Sequence, residues 1–189
     1  MHQNEFVAAH FNEHKEVIVK SFEALQEKIE VTGEILTTAL TQGRKIIAFG
    51  NGGSATQASH LVGELIGRFL GNRRPLPAIA LAADPGVVTC ISNDFGYNIL
   101  FERQCQALAT VGDVAIGFTT SGRSENVRLG LAAAHEKGAV TIALVGESPV
   151  QEGFADHVLQ VPSKTTAYIQ EVHLMVLHIW CHYIEAQFK

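Results

Sequence analysis

The chain has 189 residues, 47% of them hydrophobic and 17% charged, which is enough to bury one full core without disulfides or structural metals. Its net charge of −5, with no basic stripe, argues against nucleic acid as a partner. No apolar run approaches the ~18–20 residues that cross a bilayer, which argues against a membrane partner.

An N-terminal helix is predicted from about Glu5 to Leu40, because this segment lacks proline and its apolar residues recur at helical spacing. The apolar stripe consists of Ile18, Phe22, Leu25, Ile29, Leu36 and Leu40. One long helix and two shorter helices both fit the pattern. The sequence does not decide whether this segment packs on its own domain or between subunits.

Short apolar runs and helical segments alternate along the rest of the chain. Five strands are predicted at 45–49, 77–81, 113–119, 139–145 and 157–161. Helices are predicted after the first strand to about residue 70, in one or two pieces over 84–108, after the third strand to about 137, and over 166–188. Because the strands alternate with helices and are apolar on both faces, they predict an α/β three-layer sandwich, a parallel sheet flanked by helices.

The first candidate ligand loop is GNGGS, residues 50–54, which follows the first predicted strand. Its glycines let the backbone turn sharply and approach a ligand closely. Ser54, with Gln57 three residues later, has the pattern of a capping box, so Ser54 is predicted as the helix N-cap. A plain turn followed by a capped helix is the structural alternative.

The second candidate loop is TTSGRS, residues 119–124, after the third predicted strand. It offers the hydroxyls of Thr119, Thr120, Ser121 and Ser124 at a helix N-terminus, which suits a phosphate. The alternative is a serine-rich turn with one N-cap. In parallel sheets, ligands bind beyond the carboxyl ends of the strands, so two such loops at corresponding ends favour a phosphate site.

Candidate acids, bases and metal ligands lie on two predicted helices. His60 and Glu64 are spaced i, i+4, so they share a face and could meet a metal or a substrate. Gln170 and His178 lie beside the core stripe of the last helix. For His60 and Glu64, the common alternative is an ordinary pair on the protein surface. For Gln170 and His178, it is a pair of polar side chains satisfied by hydrogen bonds.

Four segments together resemble one family. The GNGGS loop with His60 and Glu64, the NDFGYN segment, the TSGRS loop and the IQEVH…H helix are similar to the sedoheptulose 7-phosphate isomerase (phosphoheptose isomerase) branch of the SIS, or sugar isomerase, family. The similarity covers nearly the whole chain from about Lys45. It implies a single SIS domain over 1–189 and a homotetramer with sites at subunit interfaces, in which residues 1–41 take part in subunit packing.

The resemblance also implies a reaction and the residues that perform it. Sedoheptulose 7-phosphate would be converted to D-glycero-D-manno-heptose 7-phosphate for surface polysaccharide, with one zinc ion per subunit. The implied metal ligands are His60, Glu64, Gln170 and His178, and the implied acid/base pair is Glu64 and His178. Glu64 and Gln170 are also implied to bind the substrate. The other implied substrate-binding residues are Asn51, Gly52, Gly53, Ser54, Asn93, Asp94, Thr119, Thr120, Ser121 and Ser124.

One feature of the implied metal site is geometrically difficult. Gln170 and His178 are eight residues apart, which is about 12 Å along a helix. Both side chains would have to stretch to reach one ion. We therefore expect a site that includes both to need residues of a neighbouring subunit as well.

The chain departs from the family pattern at a few positions. Gln57 stands where the family usually has an aspartate, and Tyr168 where it usually has a basic residue. Arg123 lies in the second loop, where asparagine or lysine is more usual, and its charge can offset the one lost at Tyr168. These departures bear on the substrate and the turnover rather than on the fold.

Two other functions remain open on the sequence. Some SIS proteins bind phosphosugars or a replication initiator without catalysis, and others isomerise a different phosphosugar. The initiator-associated branch tends to lack the complete His/Glu/Gln/His set, which this chain retains, so the enzyme is favoured. The three cysteines are widely spaced without a CxxC motif, and the first residues are polar and acidic, so we expect a cytoplasmic protein.

Overall fold

The structure of the protein, a computed structural model, describes residues 3–188. Five parallel strands form one sheet in the order β2–β1–β3–β4–β5. They are β1 (Ile46–Gly50), β2 (Ala78–Ala80), β3 (Val114–Thr119), β4 (Val140–Val145) and β5 (His157–Gln160). The predicted five-stranded parallel sheet is therefore confirmed, with strand boundaries that differ from the predicted ones by at most one residue.

Helices cover both faces of this sheet. They are α1 (Gln3–Thr41), α2 (Gly53–Ile66), α3 (Pro85–Phe95), α4 (Leu100–Leu108), α5 (Glu125–Glu136) and α6 (Thr166–Gln187), with a 3₁₀ turn at Tyr97–Ile99 between α3 and α4. The N-terminal segment is one long helix rather than two. The α3–α4 region is broken near Gly96, as predicted, where a positive φ of 93° ends α3.

Alternate residues of each central strand point to two separate cores. In β1, Ile46 and Ala48 are fully buried on the side that carries α1, α2 and α6. Ile47 and Phe49 are fully buried on the opposite side, against α4 and α5. Burial on both faces explains why the strand sequence is apolar without alternation.

Helix α6 packs closely along the C-terminal half of α1. Gly33 lies in this C-terminal half of α1, and a Cβ atom there would be 3.1 Å from the ring of Tyr183, so the glycine permits the close approach. Nearby, the indole of Trp180 donates a buried hydrogen bond of 3.0 Å to the Thr32 hydroxyl. This half of α1 is thus part of the domain's own core.

The N-terminal half of α1 is different. Phe22 belongs to the predicted apolar stripe, and 61% of its surface is exposed in the single chain. Phe11 and Phe6, about three and about four turns of helix closer to the N-terminus, are also exposed. A single facing helix covers only part of a long helix, so these aromatic residues are left without cover within residues 3–188.

Within residues 3–188, none of the helices combines the length and the apolar character that a bilayer-spanning helix requires. The longest helix, α1, carries charged residues throughout its length. The three cysteines are free thiols: Cys105 and Cys181 are buried, and Cys90 is exposed.

Candidate active site

The two predicted ligand loops meet at the carboxyl edge of the sheet. β1 and β3 are neighbours in register, with Gly50 paired to Phe118. From β1 the chain crosses to β2 on one side, and from β3 it crosses to β4 on the other. The strand order therefore reverses between β1 and β3, which is where ligands bind in open parallel sheets.

The first loop is shaped by its glycines. A Cβ atom at Gly50 would lie 2.7 Å from the carbonyl oxygen of Phe118 and 2.8 Å from the Cβ of Ser54, so only glycine allows α2 to start this close to β3. Gly52, with a φ of 55°, occupies the N-cap of α2. Ser54 lies inside the first turn and is buried.

The predicted capping box is therefore wrong. The glycine at position 52 adopts a backbone conformation that starts the helix two residues earlier than the Ser54 pattern indicates. The side chain of Gln57 turns away from the N-terminus and donates a hydrogen bond to the backbone carbonyl of Gln170 on α6. Ser54 is free of the capping role that the pattern gave it.

The second loop leads into the N-terminus of α5. Ser124 is the N-cap residue, yet its side chain makes no capping hydrogen bond. Its hydroxyl instead lies 3.0 Å from the hydroxyl of Thr119. The Ser121 hydroxyl accepts a bond of 3.2 Å from the Arg123 backbone N–H, while the Arg123 side chain is exposed. The hydroxyls are thus gathered at a helix N-terminus without being used to cap it, which suits an anionic ligand.

A small hydrogen-bond network joins three segments of this edge. Asn51 and Asn126 exchange two amide hydrogen bonds, each of 2.9 Å, between the first loop and the start of α5. The hydroxyl of Tyr97 donates to the same Asn51 oxygen at 2.7 Å. Sequence reasoning did not identify Asn126 or Tyr97, although Tyr97 lies inside the NDFGYN segment. Asn126 is almost fully buried in the structure. In the sequence, its position two residues after the second loop was the only sign that it could belong to the site.

Asn93 and Asp94 lie in the last turn of α3 and are exposed. Their side chains bond to each other at 2.8 Å, and the thiol of Cys90 approaches Asp94 at 3.7 Å. Tyr97, two residues beyond α3, ties this end of the segment to the first loop. Both predicted substrate contacts therefore remain available at the rim of the site.

Three predicted metal ligands come together on α2 and α6. The Nε2 atom of His60 lies 3.2 Å from a carboxylate oxygen of Glu64 and 3.1 Å from Nε2 of His178. One ligand atom from each of the three residues lies within 4.8 Å of the others. Two imidazoles and a carboxylate are donors that zinc and similar divalent metals accept, so the side chains fit such an ion.

The electrostatics of the cluster favour a neutral His178. Burial lowers the pKa of its imidazole, the neighbouring His60 and His182 lower it further, and Glu64 opposes them by raising it. A neutral imidazole has a free lone pair, which is the form that binds a metal or accepts a proton.

Gln170, the fourth predicted ligand, lies at the other end of this helix pair. Its amide packs against Gly53 at the start of α2, where a Cβ atom would come within 2.5 Å of Nε2. Two turns of α6 separate it from His178. Three of the four predicted ligands thus meet within one chain, whereas the participation of Gln170 and of a neighbouring subunit stays a prediction.

The two departures from the family pattern both have local structural roles. Gln57 is buried between α2 and α6, and a carboxylate could not donate the hydrogen bond that it gives to the Gln170 carbonyl. Tyr168 is also buried, and its hydroxyl donates a bond of 2.9 Å to Glu13 of α1. The ring of His10 lies 4.9 Å from the Tyr168 ring. Both residues therefore stabilise contacts of α6 with its neighbouring helices.

The SIS domain family matches residues 9–146, which is most of the chain, so the chain belongs to that family. Within the family, the chain is similar to curated phosphoheptose isomerases. The phosphoheptose isomerase of Aquifex aeolicus is 47% identical over 176 residues, which cover 93% of this chain and 92% of that protein. The phosphoheptose isomerase of Maridesulfovibrio salexigens is 44% identical over 180 residues, covering 95% and 88%.

Solved structures show the same relationship. The phosphoheptose isomerase from Francisella tularensis matches with a TM-score of 0.92 at 31% identity, covering 98% of this chain and all of that one. The enzyme from Neisseria gonorrhoeae matches with a TM-score of 0.88 at 36% identity, covering 97% and 98%. A more distant protein, the Vibrio vulnificus NanR protein complexed with ManNAc-6P, shares only the fold, at 14% identity and a TM-score of 0.60.

Proposed function

We propose that this protein is a phosphosugar isomerase that converts sedoheptulose 7-phosphate to D-glycero-D-manno-heptose 7-phosphate. The observation that carries this function is the cluster of His60, Glu64 and His178 beside two phosphate-suited loops, in a chain 47% identical to a phosphoheptose isomerase. The reaction takes place in the cytoplasm and supplies heptose for surface polysaccharide.

The phosphate binds at the two loops. The hydroxyls of the second loop and of Ser54 donate hydrogen bonds to the phosphate oxygens, and the N-terminus of α5 adds its positive dipole. Ser54 and His60 are six residues apart on α2, about 9 Å along the axis. The loops and the cluster therefore hold opposite ends of one extended phosphosugar. The residues assigned to the phosphosugar are Asn51, Gly52, Gly53, Ser54, Asn93, Asp94, Thr119, Thr120, Ser121 and Ser124.

The reaction moves a proton between C1 and C2 of the sugar through an enediol. The carboxylate of Glu64 takes the carbon-bound proton and returns it to the neighbouring carbon. The imidazole of His178, neutral near pH 7 because burial lowers its pKa, exchanges a proton with the sugar oxygens. The phosphate contacts keep C1 and C2 beside these two groups throughout.

A zinc ion would be held by His60, Glu64 and His178, and Gln170, the fourth ligand that the family resemblance implies, would join a site completed by residues of a neighbouring subunit. When bound, a divalent metal stabilises negative charge that develops on a sugar oxygen. Such an ion requires a neutral imidazole, which is the form of His178 that burial favours by lowering its pKa.

The working protein is a homotetramer. An apolar groove of about 510 Å³ runs between α1 and α6, lined by Phe22, Val19, Met175 and Ile179 among others. Exposed aromatic residues continue the apolar surface toward the N-terminus of α1. Contiguous apolar surface of this kind is typical of subunit contacts, and α1 supplies most of it.

The test is an isomerase assay on sedoheptulose 7-phosphate with added Zn²⁺, comparing the wild type with the Glu64→Gln variant. The variant is expected to lose at least about a hundredfold in kcat, because general acid–base groups contribute 10²–10⁴-fold. Glu136→Gln, an exposed acid at the end of α5, is the matched control and should retain full activity. A folded, zinc-loaded wild type without turnover would contradict the proposed reaction and favour a phosphosugar-binding protein or another phosphosugar.

A further inference from the structure

The segment between α2 and β2 packs an aromatic ring onto the metal cluster. The ring of Phe69 lies 5.7 Å from the ring of His178, with the two planes only 22° apart. Its edge contact with His182, one turn later on α6, is at 4.8 Å and 88°. Because His60 lies on another side of the imidazole, the ring of His178 is held between Phe69 and His60.

Residues 67–77, here called the α2–β2 loop, are fixed to both helices that carry the cluster. On α6, the buried carboxylate of Glu185 accepts hydrogen bonds from the backbone N–H groups of Leu70 and Gly71, at 3.1 and 2.8 Å. These two residues directly follow Phe69. The loop therefore cannot move away from α6 without breaking two bonds to a buried charge.

On α2, the anchor is Arg73. Its guanidinium donates to the backbone carbonyls of Glu64 and Leu65, the latter at 2.8 Å. The backbone N–H of Leu76 adds a bond of 3.0 Å to the same Leu65 carbonyl. The loop is thus tied to the turn of α2 that presents Glu64, and Phe69 is clamped at a fixed place between the two helices.

The imidazole of His178 lacks the usual means of orientation. A metal-binding histidine commonly donates its second ring nitrogen to a carboxylate or carbonyl, and that bond sets the ring plane. Within residues 3–188, the hydrogen-bond contact of His178 is to His60 through Nε2, and none is made through Nδ1. Packing against the Phe69 ring is therefore a restraint on the His178 side-chain torsions, in addition to the contact with His60.

We propose that Phe69 is a positioning residue that orients the His178 ring for metal binding and proton transfer. The inference rests on the proposed function, because it assigns Phe69 a role in that same site. Loss of the ring leaves His178 free to rotate, which weakens metal binding and lowers kcat. The phosphate loops lie at the other end of α2, so KM for the phosphosugar changes little.

The experiment compares Phe69→Leu with Leu70→Ala. Leu70 is the next residue of the same loop and 65% exposed, so its truncation disturbs the loop sequence without touching His178. Phe69→Tyr is the conservative rescue, and Phe69→Met is a second variant of similar volume should the leucine variant fold poorly. For each protein, the Zn²⁺ dissociation constant is measured by competition with a chromophoric chelator, and kcat and KM are measured separately.

Phe69→Leu and Phe69→Met are expected to weaken Zn²⁺ binding and lower kcat by about tenfold or more, the usual effect of losing a residue that orients a metal ligand. Leu70→Ala and Phe69→Tyr should match the wild type. Zn²⁺ affinity and kcat of Phe69→Leu equal to those of Leu70→Ala would overturn the role of Phe69. A wild type that binds Zn²⁺ without isomerising the sugar would instead count against the proposed function. The Zn²⁺ affinities of the four variants, compared with that of the wild type, would still decide the role of Phe69.

Discussion

His173 shows how the fold can fix the protonation state of a single residue. The side chain is fully buried between α6 and the sheet, with Nε2 3.4 Å from the carbonyl oxygen of Val145. Nδ1 has no hydrogen-bond partner among the described residues. Burial lowers the pKa of this imidazole to about 4, although the contact with Val145 opposes the shift. His173 is therefore neutral wherever the protein is folded near neutral pH.

This pKa predicts a loss of stability in acid. Below pH 6.5 the unfolded chain binds a proton at His173 while the folded chain does not, until the pH approaches 4. The free energy of unfolding should therefore fall as the pH decreases from 6.5 to 4, by up to about 3 kcal/mol from this group. Above pH 6.5 the group contributes no pH dependence.

Urea unfolding at several pH values checks this, with His173→Gln as the variant that cannot titrate. The wild type should lose stability more steeply toward pH 4 than the variant. His182→Gln, which removes an exposed histidine from the same helix, should keep the wild-type slope. Parallel slopes for the wild type and His173→Gln would show that His173 is protonated in the folded protein.

At the level of elements, close backbone packing determines the junction of β1 with α2. A side chain at Gly50 would collide with the Phe118 carbonyl and with Ser54, both of which are fixed by the sheet and the helix. Gly50→Ala is expected to destabilise the protein by about 1–3 kcal/mol, because an extra methyl group in close-packed surroundings forces the backbone apart. Thermal or urea unfolding measures this change.

Gly63→Ala supplies the matched control for Gly50→Ala. Gly63 also belongs to this part of the chain, on the exposed side of α2, and a Cβ atom there meets no other atom within 4 Å. Alanine should stabilise the helix at this position by about 0.5–1 kcal/mol. An equal effect of both substitutions would mean that close packing at Gly50 does not govern the junction.

For the whole molecule, the groove between α1 and α6 predicts how copies of the chain assemble. Phe22→Glu places a charge in the centre of this apolar surface, and burying an unpaired charge costs several kcal/mol. The variant is expected to form smaller species than the tetramer at the same concentration, as measured by size-exclusion chromatography with light scattering.

Ala24→Glu introduces the same charge two residues away, on an exposed part of α1 outside the groove. It should leave the oligomeric state unchanged. A Phe22→Glu variant of unaltered molar mass would exclude the groove as a subunit contact, and a wild-type monomer would contradict the tetramer itself.

Much of the fold could be predicted because its signals are local. The five apolar runs, the glycine-rich turns and the helical spacing each depend on neighbouring residues, and the sheet formed where they indicated. The N-cap of α2 could not be predicted in this way, since the Ser54 pattern and the Gly52 conformation compete and the contact of Gly50 with Phe118 decides between them. Helical spacing placed Phe22 on the apolar stripe of α1, but it does not reveal whether another helix covers that side.

The sequence by itself determined the α/β class and the two hydroxyl- and glycine-rich loops, because residue type and spacing carry that information, while the candidate metal ligands were implied by the resemblance of four segments to one family. Only the tertiary structure decided which of those side chains meet. His60 and His178 are 118 residues apart in the chain and 3.1 Å apart in space. Asn126, Tyr97 and Phe69 join the site for the same physical reason, since each acts through packing or a hydrogen bond to a residue that is distant along the chain.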